Sequence, residues 1–367
     1  MKQLFIIFIS IFFFLGCSKE PQVMFDSLPK TQLQKSSFKN LPNWENENYD
    51  EVLYSFINNC RAKRGADIYQ SLCLKSQSIR DAKEFLESNF TPYIIQNSNN
   101  DKNSILTGYY EPELRGSRIK SEIYKYPIYK SPKDLVTVDL SSIYPDLKNY
   151  RLRGRLDGNR LVPYYSRAEL ESVGINADVI CYCDSKIDKF FLEVQGSGRI
   201  TLDSGETIFI GFSNQNGHKY KSIGKYLIQS GEILKEDISL QTITEWLKLN
   251  PSRVDEVLNY NSSVVFFQER DRAATGSLGL VLSPLRSIAV DRRYIPLGSM
   301  VYVSAKDTNI EYKRVVFAQD TGGAIKGSVR ADMFLGFGEE AGRVAGELKA
   351  PLKLWILLPK DKVKSNI

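Results

Sequence analysis

The sequence predicts a mainly β protein with peripheral helices, an α+β fold that contains two β domains. Short segments rich in β-branched and aromatic residues, separated by Gly and Pro, begin near residue 104 and return after residue 263. In the final third their even spacing is typical of a small closed barrel. A helical stretch lies between the two β-rich regions. We therefore expect the second domain to be assembled partly from residues before and after the first.

The N-terminus resembles a bacterial lipoprotein signal. Lys2 precedes an apolar run from Leu4 to Gly16. A membrane-spanning helix needs about 20 residues, so this shorter run suits the apolar core of a secretory signal. Cys17 follows at once, so we expect cleavage before it and lipid on its thiol. A plain signal with an incidental cysteine is the alternative. Residues 1–16 are thus the expected signal peptide and 17–42 the lipid anchor and tether.

Helical spacing and capping residues predict six helices before the final β region. The Ser166-Arg167-Ala168-Glu169 segment is a capping box and begins one of them. The other predicted helices cover residues 49–61, 79–90, 222–230, 239–249 and 252–260.

Strands account for most of the rest. Residues 178–212 alternate and turn like an antiparallel meander, with Asp203-Ser204-Gly205 at a hairpin turn. The final β region contains apolar strand-like segments at 263–269, 286–291, 299–305, 314–320 and 352–359.

Cysteine and histidine usage gives little support for a metal or cofactor. Cys60 and Cys73 can form a disulfide in an oxidising compartment. Cys181 and Cys183 flank one residue, so in a strand they point to the same face without good bridging geometry. His218 is the only histidine and no CxxC pair occurs, which argues against zinc. Without a nucleotide-binding motif either, no cofactor is expected. The net charge of +6 is spread along the chain and does not support nucleic-acid binding.

Three aspartates are the candidates for chemistry. Asp291, Asp320 and Asp332 each lie at the end of a strand-like segment or beside a Gly-rich turn. Carboxylates that converge on one groove raise the pKa of at least one of them, which makes a proton donor near neutral pH. The alternative is that they cap turns. An aspartic protease is rejected, because the surroundings of Asp203-Ser204-Gly205 and Asp320-Thr321-Gly322 share nothing beyond the tripeptide.

The segments around these aspartates resemble the three-aspartate domain of the membrane-bound lytic murein transglycosylase A family. They read VDRRYIPLG at Asp291, DTGGAIKG at Asp320 and ADMFLGFG at Asp332. Four further blocks match in the same order, and together the resemblance spans about residues 104–358. These blocks are TGYYEPEL (107–114), FLEVQGSGRI (191–200), NGHKYKSIGK (216–225) and SVVFFQE (263–269).

The resemblance implies a double-psi β-barrel catalytic domain, a second and smaller β-barrel domain, and a groove between them. It places the N-terminal helices and the first catalytic strand at 43–112, the inserted domain at 113–240 and the three-aspartate barrel at 241–360.

It also implies the activity: cleavage of peptidoglycan glycan strands between N-acetylmuramic acid and N-acetylglucosamine, with formation of a 1,6-anhydro end. Asp332 would be the single acid and base, Asp320 would lie beside it in ionised form, and Asp291 would support the region. A non-catalytic glycan-binding module and a hydrolytic β-glucanase remain alternatives.

The family pattern further suggests sugar contacts. The expected contacts are Thr107, Gly108, Tyr109, Tyr110, Gln195, Gly196, Ser197, Gly198, Gly323 and Lys326. The alternatives are that the two tyrosines pack in the core, that residues 195–198 form a plain hairpin, and that the lysine is solvated. The expected partners are glycan strands, the membrane through Cys17 lipid, and cell-wall synthesis proteins, at the periplasmic face of a Gram-negative outer membrane.

Overall fold

A computed structural model describes residues 32–362 apart from 64, 66, 98–103, 151 and 307–310. The predicted signal, Cys17 and most of the tether lie outside the described residues. In the described part of the chain, no helix is long and apolar enough to cross a membrane.

The described ranges contain nine α-helices. They are α1 (Tyr49–Asn59), α2 (Gln70–Lys75), α3 (Ala82–Asn89), α4 (Arg167–Val173), α5 (Lys186–Gln195), α6 (Ile223–Gln229), α7 (Leu240–Leu249), α8 (Val254–Tyr260) and α9 (Gly338–Glu347).

Seventeen strands fall within the same ranges. They are β1 (Leu33–Lys35), β2 (Phe90–Ile95), β3 (Ile105–Glu111), β4 (Glu113–Ser117), β5 (Tyr126–Tyr129), β6 (Val136–Val138), β7 (Leu152–Asp157), β8 (Arg160–Pro163), β9 (Val179–Cys183), β10 (Ser197–Leu202), β11 (Thr207–Gln215), β12 (Val265–Arg270), β13 (Ser287–Val290), β14 (Met300–Lys306), β15 (Glu311–Asp320), β16 (Arg330–Phe337) and β17 (Lys349–Pro359).

Six of these strands close into a barrel. Their order is β17, β14, β15, β13, β16 and β3, and β3 pairs back onto β17. The barrel is mixed, because β13 runs parallel to β15 and antiparallel to β16, while β16 runs parallel to β3. Apolar side chains such as Val301, Val316 and Leu354 fill its interior. The predicted β barrel is confirmed, and its parallel pairs need the long connections that the other elements supply.

The N-terminal helices cover one outer face of this barrel. Trp44 and Phe56 pack there against Tyr302 and Trp355 in a second buried cluster. The buried Arg286 guanidinium donates to Glu47 at 3.0 Å and to the Val315 carbonyl at 2.7 Å. Residues 38–90 therefore stabilise the strands that carry the final-third aspartates.

The chain leaves the barrel after β3 and enters a second β domain at β4. Its six-stranded sheet has the order β12, β11, β10, β4, β9 and β5, and its edge strands β12 and β5 lie close together without a ladder between them. A separate three-stranded sheet contains β6, β7 and β8. The strand at Val265–Arg270 belongs to the second domain by its pairing with β11. It lies beyond the limit of 240 that we expected for the inserted domain.

The meander predicted for 178–212 is wrong in its middle, where α5 replaces a strand. The Ser185 side chain accepts a hydrogen bond from the Asp188 backbone N–H, and Gly196 ends the helix in the left-handed region at φ 81°. These capping residues, and the burial of adjacent Phe190 and Phe191, favour a helix over the alternation. The hairpin at Asp203-Ser204-Gly205 is confirmed, with Gly205 at φ 87°.

The structure contains the disulfide that the sequence allows, and two further cysteines lie on one strand. Cys60 and Cys73 form a disulfide with their Cα atoms 5.7 Å apart. Cys181 and Cys183 are buried free thiols on β9, and burial raises the pKa of each to about 12. They are therefore protonated and unreactive at neutral pH.

Replacing both Cys60 and Cys73 with serine should lower the free energy of unfolding by about 3 kcal/mol, the loop-entropy value for a short closed loop. Urea unfolding followed by circular dichroism measures this difference. Reduction of the unmodified protein should have the same effect, whereas it should leave the double variant unchanged. Equal stability of the two proteins under oxidising conditions would contradict the assignment.

Candidate active site

A cross-strand row brings Asp320 and Asp332 together. Both residues are cross-strand partners of Ala289 on β13. Asp320 pairs with it from β15, and Asp332 pairs with it from β16. Thr107 on β3 is the next partner of Asp332. Registered residues point to the same face of a sheet, and two strand spacings separate the two aspartate backbones by roughly 9–10 Å. The small Ala289 side chain between them leaves space for both carboxylates.

A bulge in β15 makes this alignment possible. Ile288 pairs with Ala318, but the next residue, Ala289, pairs with Asp320, so Gln319 is an extra residue. Its side chain is buried and accepts from Ser287 Oγ at 2.6 Å while donating to Asn59 at 3.1 Å. Bulges re-aim side chains next to functional sites, and this one turns Asp320 into the row.

The neighbours of Asp332 contact one of its two oxygens. Thr107 Oγ1 donates to Asp332 Oδ1. Arg330 donates to the same Thr107 oxygen at 2.8 Å. Because arginine can only donate, the Thr107 hydroxyl accepts from Arg330 and can give its own proton to an ionised Asp332 at Oδ1. Asp332 Oδ2 has no hydrogen-bond partner among the described residues and is the oxygen open to a substrate.

Asp320, in contrast, has donors on both oxygens. Oδ1 accepts from Ser277 N at 2.9 Å, from Ser277 Oγ at 2.8 Å and from Thr321 N at 2.8 Å. Oδ2 accepts from the Tyr109 hydroxyl at 3.1 Å. Hydrogen bonds to a carboxylate stabilise its ionised form.

The pKa values of the two carboxyls are shifted by different surroundings. Burial raises the pKa of Asp332, and the charge of Asp320 raises it further, while the hydrogen bond from Thr107 and the charge of Arg330 oppose both effects. Burial raises the pKa of Asp320 as well, and its four hydrogen bonds oppose this effect without reversing it. Four donors thus favour the ionised form of Asp320, whereas Asp332 has a single hydroxyl donor and, among the described residues, a free oxygen.

Tyr109 remains a neutral donor in this site. Burial raises its pKa well above the ordinary value, and the charges of Asp320 and Asp332 raise it further. Its ring packs against Phe334 with centroids 5.3 Å apart. The hydroxyl is thus held against Asp320.

Asp291 is not in the row. It is buried and accepts from Arg293 Nε at 2.9 Å and from the Gly327 backbone N–H at 3.1 Å. Burial opposes ionisation, but the bonds from Arg293 and Gly327 prevail and lower the pKa of Asp291. Asp291 therefore fixes the end of the loop between Asp320 and Asp332, and its lowered pKa favours the ionised form.

The expected sugar contacts on β3 divide between two faces. Thr107 and Tyr109 point to the aspartates, whereas Gly108 and Tyr110 face α9. A Cβ on Gly108 would lie 2.9 Å from Ala345 Cα, so the glycine permits close packing of this helix. The Tyr110 ring covers Gly342, where a Cβ would lie 2.8 Å from the ring.

The QGSG segment is the end of a helix and the start of a strand. Gln195 ends α5, and its Oε1 accepts from the Tyr110 backbone N–H at 3.3 Å. Gly196 caps the helix, and Ser197 and Gly198 begin β10. A Cβ on Gly198 would meet Leu192 Cδ1 at 2.3 Å. The plain hairpin alternative is wrong, and the segment instead joins the second domain to β3.

The loop after Asp320 has a buried anchor and exposed neighbours. Ile325 is buried, and a Cβ on Gly322 would lie 2.6 Å from its side chain. Gly323 and Lys326 are exposed on the same loop. Their contacts with a sugar stay a prediction.

Two residues of the site were not predicted. Ser277 approaches Asp320 because Gly276 packs on the Gln319 carbonyl, where a Cβ would lie 2.4 Å from the oxygen. No local pattern links these residues, which are 43 positions apart. Arg330 has a local signal, because it lies two positions before Asp332 on one strand and so shares its face.

His218 has a structural role in the second domain. Its Nε2 lies 2.7 Å from the Tyr164 carbonyl. The neighbouring Asn216 is buried and donates to the carbonyls of Tyr165 and Ser262. Among the described residues, no group of three His, Cys, Asp or Glu side chains could hold a metal ion.

Most enzymes that cleave glycosidic bonds use a pair of neighbouring carboxyl groups, and the row of Asp320 and Asp332 is typical of that class. Comparisons with known proteins narrow this class. The model of the MltA-specific insert domain matches residues 105–268, and the model of the 3D domain matches residues 286–358.

The chain belongs to the membrane-bound lytic murein transglycosylase A family. It is 32% identical to the Escherichia coli K12 enzyme of that name over 288 residues, 76% of this chain and 72% of the relative. It is 34% identical to the Buchnera aphidicola homolog over 262 residues, 69% of this chain and 65% of that protein.

Solved structures agree with this assignment. The membrane-bound lytic murein transglycosylase of Agrobacterium tumefaciens matches with a TM-score of 0.78 at 29% identity, covering 90% of this chain and 98% of that one. The structure of E. coli MltA with bound chitohexaose matches with a TM-score of 0.68 at 26% identity, covering 89% and 94%.

Substitution of the two flanking charges should move the pKa of Asp332 in opposite directions. In Asp320→Asn a negative charge is lost, so the pKa of Asp332 should fall. In Arg330→Gln a positive charge is lost, so it should rise. NMR titration of carbon-13-labelled aspartate carboxyls measures both, and loss of the signal in Asp332→Asn assigns it. Shifts of the same sign in the two variants would refute the arrangement.

Proposed function

We propose that this protein is a lytic transglycosylase that cleaves the β-1,4 bond between N-acetylmuramic acid and N-acetylglucosamine in peptidoglycan, with Asp332 as its acid and base. One observation carries the choice of a single catalytic carboxyl. Asp332 Oδ2 has no hydrogen-bond partner in the described part of the chain, whereas both oxygens of Asp320 are occupied. A hydrolase of the ordinary kind needs a second carboxylate that can reach water or the sugar.

The chemistry follows from this difference. Asp332 Oδ2 donates its proton to the glycosidic oxygen as the bond to C1 breaks. The C6 hydroxyl oxygen of the same muramic acid then bonds to C1, and its proton returns to the Asp332 carboxylate. No water enters, and the product carries a 1,6-anhydro ring. General acid and base action of this type contributes about 10²–10⁴ in rate.

Asp320 contributes charge rather than a proton. Burial raises the pKa of Asp332 and the negative charge of Asp320 raises it further, which favours a protonated acid before the reaction. The same negative charge favours the positive charge that develops at C1 in the transition state. Stabilisation by a charge already in place requires no reorganisation during the reaction. The donors from Ser277 and Tyr109 keep this charge in position.

The site of action is proposed from the N-terminus and from the relatives. A lipid on Cys17 would hold the enzyme at the periplasmic face of the outer membrane, close to its glycan substrate. In support, the relatives from E. coli and Vibrio cholerae are named membrane-bound. Cell-wall synthesis proteins remain proposed partners.

Digestion of purified peptidoglycan by a protein lacking residues 1–17, followed by mass spectrometry of the fragments, tests the reaction. We expect fragments lighter by one water than hydrolytic products. Asp332→Asn should lower their rate of formation at least 10²-fold. Asp203→Asn, at the exposed hairpin turn, is the matched control and should retain the full rate.

Reducing ends that carry the water would make the enzyme a hydrolase. Binding of peptidoglycan without any release of fragments would make the protein a glycan-binding module.

A further inference from the structure

An exposed aromatic side chain stands at the end of the strand that carries Asp332. Phe337 is 53% exposed. It lies between Gly336 at φ 106° and Gly338 at φ 80°. Both angles belong to the left-handed region that favours glycine. The backbone therefore needs glycine on both sides of a large apolar residue that it presents to solvent.

The strand register places Phe337 on the same face as Asp332. Asp332 pairs with Thr107, and Phe337 pairs with Glu111. These partners are four positions apart on β3, but five positions separate the two residues on β16, because a bulge lies between Phe334 and Phe337. Without the extra residue, Phe337 would point to the opposite face. Along the strand, the two positions are roughly 13 Å apart, the span of a short oligosaccharide.

Arg199 holds one face of the Phe337 ring. Its guanidinium carbon lies 3.5 Å from the ring centroid and 5.3 Å from that of Phe209. Its Nε donates to the buried Glu111 at 2.7 Å. Glu111 also accepts from the Ala274 backbone N–H at 2.8 Å. The stack is therefore fixed to the segment that, three residues on, supplies Ser277 to Asp320.

The stack still has unused binding capacity. The two terminal nitrogens of Arg199 have no hydrogen-bond partner within the described ranges, and more than half of Phe337 is open. Glu113, the cross-strand neighbour of Arg199, is exposed and adds an acceptor. Apolar faces of sugar rings pack on aromatic rings, and guanidinium N–H groups bind carbonyl and hydroxyl oxygens.

We propose that Phe337 and Arg199 form a distal sugar subsite, which binds one N-acetylhexosamine of the same glycan strand that is cleaved at Asp332. This inference rests on the proposed function. A sugar ring stacks on the open face of Phe337, and the acetamido carbonyl accepts from Arg199. The occupant is a continuation of the substrate, because Asp332, Glu111 and Phe337 share one face of the barrel.

Binding of chitooligosaccharides of increasing length, measured by calorimetry, tests the subsite. All proteins carry Asp332→Asn so that no cleavage occurs. The ratio of affinities for the octamer and the trimer should fall about fivefold to tenfold in Phe337→Ala. Phe337→Trp should keep the ratio, and Arg199→Lys, which retains charge but loses the planar stack, should lower it in part.

Tyr54→Ala removes a comparably exposed aromatic residue from α1 and is the matched control, with an expected ratio equal to that of the parent. An unchanged ratio in Phe337→Ala would overturn the subsite. If that variant has a lowered melting temperature, Phe337→Leu decides in the same way, because it keeps apolar bulk without an aromatic face. Failure of the proposed function has a separate signature, the absence of anhydro products in the peptidoglycan digest.

Discussion

The register of four strands is the constraint on which the rest of this structure depends. Asp320, Ala289, Asp332 and Thr107 lie in one row only because β15 contains an extra residue at Gln319. A slip of one residue would turn an aspartate toward the apolar interior. There it would have neither donors nor water, at a cost of several kcal/mol. The barrel interior therefore enforces the position of the carboxyls as much as their own hydrogen bonds do.

Burial of this row opposes stability and favours chemistry. The pKa of Asp332 is raised in the folded protein, so its contribution to stability is largest below the unfolded pKa and is lost as the pH rises through the folded value. The fold offsets this cost away from the row. The N-terminal helices bury aromatic side chains against β14 and β17. The Cys60–Cys73 disulfide links the end of α1 to α2. These elements stabilise the barrel without approaching the acid.

The sequence predicts the features that depend on neighbouring residues, but not those that depend on tertiary packing between distant segments. The capping box at Ser166 and the turn at Gly205 depend on a few neighbouring residues, and both are present. Helix α5 was missed because its apolar residues also alternate like a strand. At the site, the spacing of Arg330 and Asp332 contained a usable signal. The approach of Ser277 to Asp320 contained none, because it depends on tertiary packing of Gly276 on Gln319.

Strand β3 couples the acid to the second domain. Its alternate residues Thr107, Tyr109 and Glu111 contact Asp332, Asp320 and Arg199 in turn. The last of these partners belongs to β10, so the first two contacts lie within the barrel and the third joins it to the other domain. A rotation of the second domain would strain Glu111, and through the Ala274 segment it would disturb the donors of Asp320. The electrostatic state of the acid thus depends on how the two domains pack, since the charge of Asp320 adds to the effect of burial on the pKa of Asp332.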